Sequence, residues 1–128
     1  MLALSHGHDV FVVHEPVSFG MGIKGLSLFC EMILLKNPMS GAVFVFKNKR
    51  SNMLRVLMFD GSKIWLITGK QVEGKIPWWP TGESKMSELA VAELQILLNG
   101  GHAKAAYFPA PYRKIELRTT FILHRKLD

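Results

Sequence analysis

A single cysteine, three aspartates and the lack of any apolar run near the roughly 20 residues that cross a bilayer are the first features of this 128-residue chain. Each shortage excludes something. Cys30 alone cannot build an internal disulfide framework, and a chain that does without one suits a reducing compartment, so the cytoplasm is the expected location. Residues Met1 to Asp9 offer neither a basic start nor a long apolar stretch, so neither a signal peptide nor a membrane partner is expected. Metal-dependent phosphoryl transfer needs carboxylates gathered around a divalent ion. Here Asp9 stands before the first strand, Asp60 sits in a turn, Asp128 ends the chain and the seven glutamates share no motif. His6, His8, Asp9 and His14 are the one metal-like group, and their spacing matches no structural zinc pattern. Cys30 falls within an apolar helical stretch, where a buried inert thiol is expected rather than a nucleophile. No catalytic residue, no metal and no cofactor is therefore expected, and the chain reads as a binder rather than an enzyme.

What is present is ordinary globular material: 48% hydrophobic and 20% charged residues, enough for a core of its own. No repeat or linker divides the chain, so residues 1–128 read as a single domain with flexible ends at 1–8 and 119–128. The net charge of +6 permits attraction to nucleic acid, and its distribution is uneven. Lys47, Lys49, Arg50 and Arg55 form one basic patch, while Arg113, Lys114, Arg118, His124, Arg125 and Lys126 form another.

Along the chain, Val10 to Val13 reads as a short buried strand ending before Pro16. A helix is predicted over 23–36, stopped by Asn37-Pro38. Residues 42–46 and 54–59 read as two strands joined by a basic loop, and Asp60-Gly61 signals a tight type I′ reversal into a third strand over 64–67. Alternation puts Val43 and Val45 on one face of the sheet and Phe44 and Phe46 on the other, so this strand must be covered on both sides. Both helices are expected on one face, with the Trp-containing C-terminal half on the other. The hairpin loop from Lys47 to Asn52 then forms a protruding tip. A second helix is predicted from about Glu88 to Leu98, capped by Asn99-Gly100-Gly101. Residues 115–117 and 119–123 have strand-like composition. The fold class that results is α+β: an antiparallel β meander of three or more strands packed with two helices.

Three features admit two readings each. Gly20-Met21-Gly22-Ile23-Lys24-Gly25 spells a dinucleotide-type G-x-G-x-x-G, but no acid follows about 20 residues later and the chain continues as a meander, so a tight turn is preferred. Lys24, Ser27 and Glu31 share a helix face with Leu28 and Leu35. That face is either covered by the rest of the domain or open to a protein partner. Trp78-Trp79, held between Pro77 and Pro80, either anchors an interface or plugs the sheet.

The order of these features resembles a known family. Its marks are Val10 to Val13, the glycine loop with Gly25-Leu26, Asn37-Pro38-Met39-Ser40-Gly41, Val43 through Arg50 and Leu54 through Phe59. Asp60-Gly61, Trp65, Val72-Glu73-Gly74, Trp79-Pro80 and Leu97-Leu98-Asn99-Gly100 complete the series. This run is similar to the small protein of the second open reading frame of insertion sequence 66 elements, called TnpB there and distinct from the RNA-guided nuclease of that name. The resemblance spans about Val10 to Gly101. Ser18-Phe19-Gly20-Met21-Gly22 stands where the family usually has Asp-Met-Arg-Lys-Gly, and Lys70-Gln71-Val72-Glu73 stands for Lys-Arg-Leu-Glu. The resemblance implies a bacterial, non-catalytic accessory protein of transposition encoded beside a separate transposase, and the basic hairpin makes DNA an expected partner alongside that transposase. The expected DNA contacts are Lys47, Lys49, Arg50, Arg55, Arg113 and Lys114. The alternative is a module that docks on the transposase without touching DNA, through Leu28, Leu35, Trp78 and Trp79.

Overall fold

Runs of β-branched and aromatic residues set the strands, and the computed structural model, which describes residues 7–101, arranges them as one five-stranded sheet. The elements in chain order are β1 (Val10–Val13), α1 (Ile23–Met32), β2 (Val43–Lys47), β3 (Met53–Phe59), β4 (Ile64–Lys70), β5 (Met86–Leu89) and α2 (Val91–Leu98). Their spatial order is β4-β3-β2-β1-β5. The predicted meander is present: β2 pairs antiparallel with β3, and β3 with β4. The sheet as a whole is mixed, which corrects the expectation of a purely antiparallel meander. β1 runs parallel to β2, with Val10 opposite Val43 and Val12 opposite Val45. Parallel neighbours require a crossover, and α1 supplies it.

The second correction concerns residues 86–89, of which the last two, Glu88 and Leu89, are expected from the sequence to open the second helix. They form β5, antiparallel to β1 with Val12 opposite Ser87. Without them β1 would end the sheet with its outer backbone groups unpaired while its side chains are buried, and that edge has to be satisfied. The helix therefore begins at Val91, where the Glu93 carboxylate accepts the Ala90 N–H at 2.9 Å. It ends as the sequence indicates. Gly100, at φ +81°, donates to the Leu97 carbonyl and Gly101 to that of Ile96, closing a Schellman cap.

Val43 and Val45 join Val10, Val12, Val56, Met58, Trp79, Leu89, Leu94 and Leu97 in a core beneath α2. Phe44 and Phe46 join Leu57, Val13, Leu26, Cys30 and Leu34 in a core beneath α1. The alternation along β2 thus holds, and β2 is buried on both faces. The helices lie on opposite faces rather than together, with Trp79 on the α2 side. Cys30 is fully buried, and burial pushes its thiol up to about 12, the neighbouring Glu31 carboxylate adding to the effect. A thiolate at neutral pH is thereby suppressed.

The reversal between β3 and β4 is shifted by one residue from the sequence reading. Phe59 pairs with Ile64 and Asp60 N–H bonds to the Lys63 carbonyl, so Gly61-Ser62 occupies the centre. Only Gly61, at φ +98°, is left-handed, the pattern of type II′ rather than I′. Asp60 holds the turn from outside. One carboxylate oxygen accepts from the N–H groups of Ser62 and Lys63, the other from the Trp65 indole at 2.7 Å. The indole bond, then the two backbone bonds, lower its pKa from 3.8 to about 2. A lowered folded pKa means stability present above 3.8 and lost as pH falls through about 2. Asp60→Asn is therefore expected to melt below wild type at neutral pH and to converge with it on acidification towards pH 2. Parallel thermal melts across that range check this, and a constant gap would contradict it. No helix among the described residues is long and apolar enough to cross a membrane.

Candidate nucleic-acid interface

The β2–β3 hairpin carries four of the expected DNA contacts, and its geometry divides them into two kinds. Phe46 pairs with Arg55 and Lys47 with Leu54, after which Asn48 N–H bonds to the Met53 carbonyl. Lys49, Arg50, Ser51 and Asn52 form the turn. Ser51 is left-handed at φ +58°, and the Asn48 side chain organises the loop by accepting from the N–H groups of Asn52 and Met53. The tip is braced from its far side: the Ser51 carbonyl accepts from Ile76 N–H at 2.7 Å and that of Asn52 from Gln71 N–H at 2.8 Å. Lys49 and Arg50 are exposed on this braced turn.

Lys47 and Arg55 are engaged within the protein. Lys47 donates to the Ser51 hydroxyl, and its ammonium lies 5.7 Å from the Trp79 ring centre. Arg55, half-buried on the α1 face, donates through Nε to the Thr68 hydroxyl at 2.9 Å and through Nη1 to the Met21 carbonyl at 2.8 Å. Its guanidinium also lies 4.5 Å from the Phe19 ring centre. Arg55 thus fastens the glycine loop to β3. That loop opens α1 but begins several residues after β1 ends, unlike the dinucleotide fingerprint, which follows its strand directly. At Gly25 an added Cβ would come 3.2 Å from the Met21 Cβ, so this glycine serves close packing. Arg113 and Lys114 lie outside the described residues, as do His6, the strand-like segments 115–117 and 119–123, and the end at 119–128.

The expected partner contacts separate as well. Trp79 is buried and donates its indole N–H to the Val13 carbonyl at 2.8 Å, while Trp78 packs half-buried against the same core. Leu28 and Leu35 are exposed on and just after α1, together with Met32, Ile33 and Met39. The helix stops at Met32, short of the predicted Lys36, and Leu35 takes the left-handed region at φ +56°.

One role escaped the sequence reading, that of His14, whose partners lie far along the chain. His14, 7% exposed, directs Nδ1 to the Ser84 carbonyl at 2.7 Å and Nε2 to the Ser87 hydroxyl at 2.6 Å. The carbonyl only accepts, so Nδ1 carries the proton. A serine on a histidine nitrogen is one half of a nucleophile pair, but the burial of this ring suits it to fastening the 82–85 turn and β5 onto β1. The partners are 70 and 73 residues apart in sequence, and no local signal connects them. On the α2 face a groove of about 460 Å³ remains between the β3–β4 hairpin and the end of α2, lined by Leu54, Val56, Ile67, Ile76 and Leu98 with Gln71, Gln95 and Asn99 at its rim.

Comparison with known proteins places all of these elements within one family match. Residues 8–107 match the family described as IS66 Orf2 like protein. Two relatives from Sinorhizobium fredii (strain NBRC 101917 / NGR234), the uncharacterized proteins y4jC and y4hO, are each 32% identical over 100 residues. Those matches cover 78% of this chain and 85% and 86% of the relatives respectively. No solved structure matches the chain significantly.

Proposed function

Because the chain belongs to the IS66 Orf2-like family, we propose that it is a non-catalytic accessory protein of a transposition system, working in the cytoplasm and binding DNA through the tip of the β2–β3 hairpin. The observation that supports this is the bracing of the turn. Two bonds from the 71–76 segment hold it from behind, while Lys49 and Arg50 stand outward without a polar partner among the described residues. A loop already ordered loses little conformational entropy on meeting a phosphate backbone. In this proposal Lys49 and Arg50 contact phosphates directly, Lys47 adds charge from the flank, and Arg55 keeps the support in place. Arg113 and Lys114 extend the basic surface.

Each neutralised phosphate contributes about 0.9 to the slope of log affinity against log salt. Lys49→Ala/Arg50→Ala is therefore expected to lower that slope by about 1 to 2 and to weaken duplex binding roughly tenfold at low salt. Fluorescence anisotropy with labelled duplex, titrated across salt, measures both. Equal binding by wild type and variant, or no binding by either, sinks the proposal. The second reading, docking on the cognate transposase without touching DNA, draws on the exposed apolar residues along and after α1. Its test is capture of the transposase by wild type and its loss in folded Leu28→Asp protein.

A further inference from the structure

Eight large hydrophobic side chains are exposed among the described residues, and six of them fall between Ile23 and Met39. Leu26 and Cys30 face the core, so Lys24, Leu28, Glu31 and Met32 form the opposite stripe of α1, at spacings of three and four residues, and the exposed Leu35 follows just beyond the end of the helix. Leu28 is 49% exposed, Met32 72% and Leu35 80%. Leu35 also holds a left-handed φ that costs a side-chain-bearing residue about 1 kcal/mol or more. Scattered exposed leucines need no explanation, but a contiguous apolar stripe does.

The charges identify what fits this stripe. α1 contains one basic and one acidic residue, Lys24 and Glu31, both exposed and placed on either side of Leu28. We infer that the outer face of α1 pairs antiparallel with the same face of a second copy, about a two-fold axis beside Leu28. In that arrangement Leu28 meets Leu28, each Met32 lies along the other copy's Lys24 stem, and each Lys24 ammonium reaches the other copy's Glu31. A patch that is complementary to itself in apolar pattern and in charge is what a two-fold interface requires. This inference goes beyond the DNA-binding proposal and does not depend on it.

A face of ten helical residues buries well under the roughly 800 Å² per partner of a standard interface, so the expected dissociation constant is on the order of tens of micromolar. Sedimentation equilibrium of the full chain up to several hundred micromolar covers that range. Wild type is expected to dimerise. Leu28→Asp, which sets two carboxylates face to face, is expected to weaken association by roughly tenfold or more. Lys24→Glu and Glu31→Lys, each made alone, place like charges together at both pairs and are expected to weaken it about fivefold.

Two recoveries are specific to the antiparallel pairing. The double variant Lys24→Glu/Glu31→Lys restores self-association, and an equimolar mixture of the two single variants associates more tightly than either does alone. Circular dichroism and thermal melts confirm that each variant is folded. Because Lys24 and Glu31 are exposed, the charge variants keep the test alive if Leu28→Asp fails to fold. A wild-type monomer at every concentration overturns the inference, whether the face is then covered by residues 102–128 or by a transposase. Dimerisation without either recovery overturns it equally.

Discussion

Trp79→Ala is expected to remove about 3–5 kcal/mol of stability, against about 1–2 kcal/mol for the half-buried Trp78→Ala. Adjacent tryptophans between prolines look equivalent in sequence, and the sheet makes them unequal. Trp79 lies within the α2-side core with Val10, Val12, Val45 and Leu94, so truncation leaves a cavity that β1 and β2, as interior strands, cannot collapse into. It also removes the indole N–H that the Val13 carbonyl accepts at the end of β1. Domains of this size have about 5–15 kcal/mol in total, so the loss is a large fraction of it.

Urea unfolding curves for the two variants decide the matter, with Trp79→Phe separating the contributions. The phenyl ring keeps most of the apolar volume but carries no donor, and an intermediate loss of about 1–2 kcal/mol is expected from the unmade bond and the partial cavity. Equal and small losses for Trp78→Ala and Trp79→Ala would mean that the segment sits on the sheet loosely. Trp79 would then return as a candidate interface anchor, a role its present burial denies it.

The parts of this fold that could be read in the sequence are those specified by neighbours. Residues 42–67 contain two hairpins whose turn residues and alternating strands lie within a few positions of each other, and their order and facing are as expected. Even there the turn centre moved from Asp60-Gly61 to Gly61-Ser62, because the Asp60 side chain is more useful outside the turn, accepting three donors. What could not be read is pairing at long range. Val10 to Val13 gives no sign that its neighbour is β2 in parallel rather than some later strand. Met86-Ser87-Glu88-Leu89 has weak strand propensity and becomes β5 because β1 needs a partner.

The candidate site divides along the same line. A cluster of four cations within nine residues is visible in the sequence; which of them are already occupied is not, since the partners of Arg55 are Met21, Phe19 and Thr68. Nothing in the sequence around Leu35 announces a left-handed leucine where a glycine would ordinarily end a helix. Its exposure and conformation emerge only with the chain reversal that leads from α1 into β2.

Arg55→Ala is expected to destabilise the protein by about 2–3 kcal/mol, the sum of two charge-assisted hydrogen bonds at partly exposed positions and one cation–π contact. The loss should be localised. Arg55 is the polar tie between β3 and the loop that delivers the chain into α1, so amide exchange ought to accelerate first at Phe19 to Gly25 and only later in β2. Arg55→Lys keeps the charge but not the fork: one ammonium cannot reach the Thr68 hydroxyl and the Met21 carbonyl in the same geometry while stacking on Phe19. About half of the loss is expected to remain. Set beside Lys49→Ala/Arg50→Ala, which should leave the melting temperature within a degree or two because both side chains are exposed, these variants separate the structural role of Arg55 from the DNA contacts proposed for Lys49 and Arg50. A variant set in which Arg55→Ala leaves stability and exchange untouched but abolishes the salt-dependent part of DNA binding would overturn the division, making Arg55 a phosphate contact and the glycine loop self-supporting.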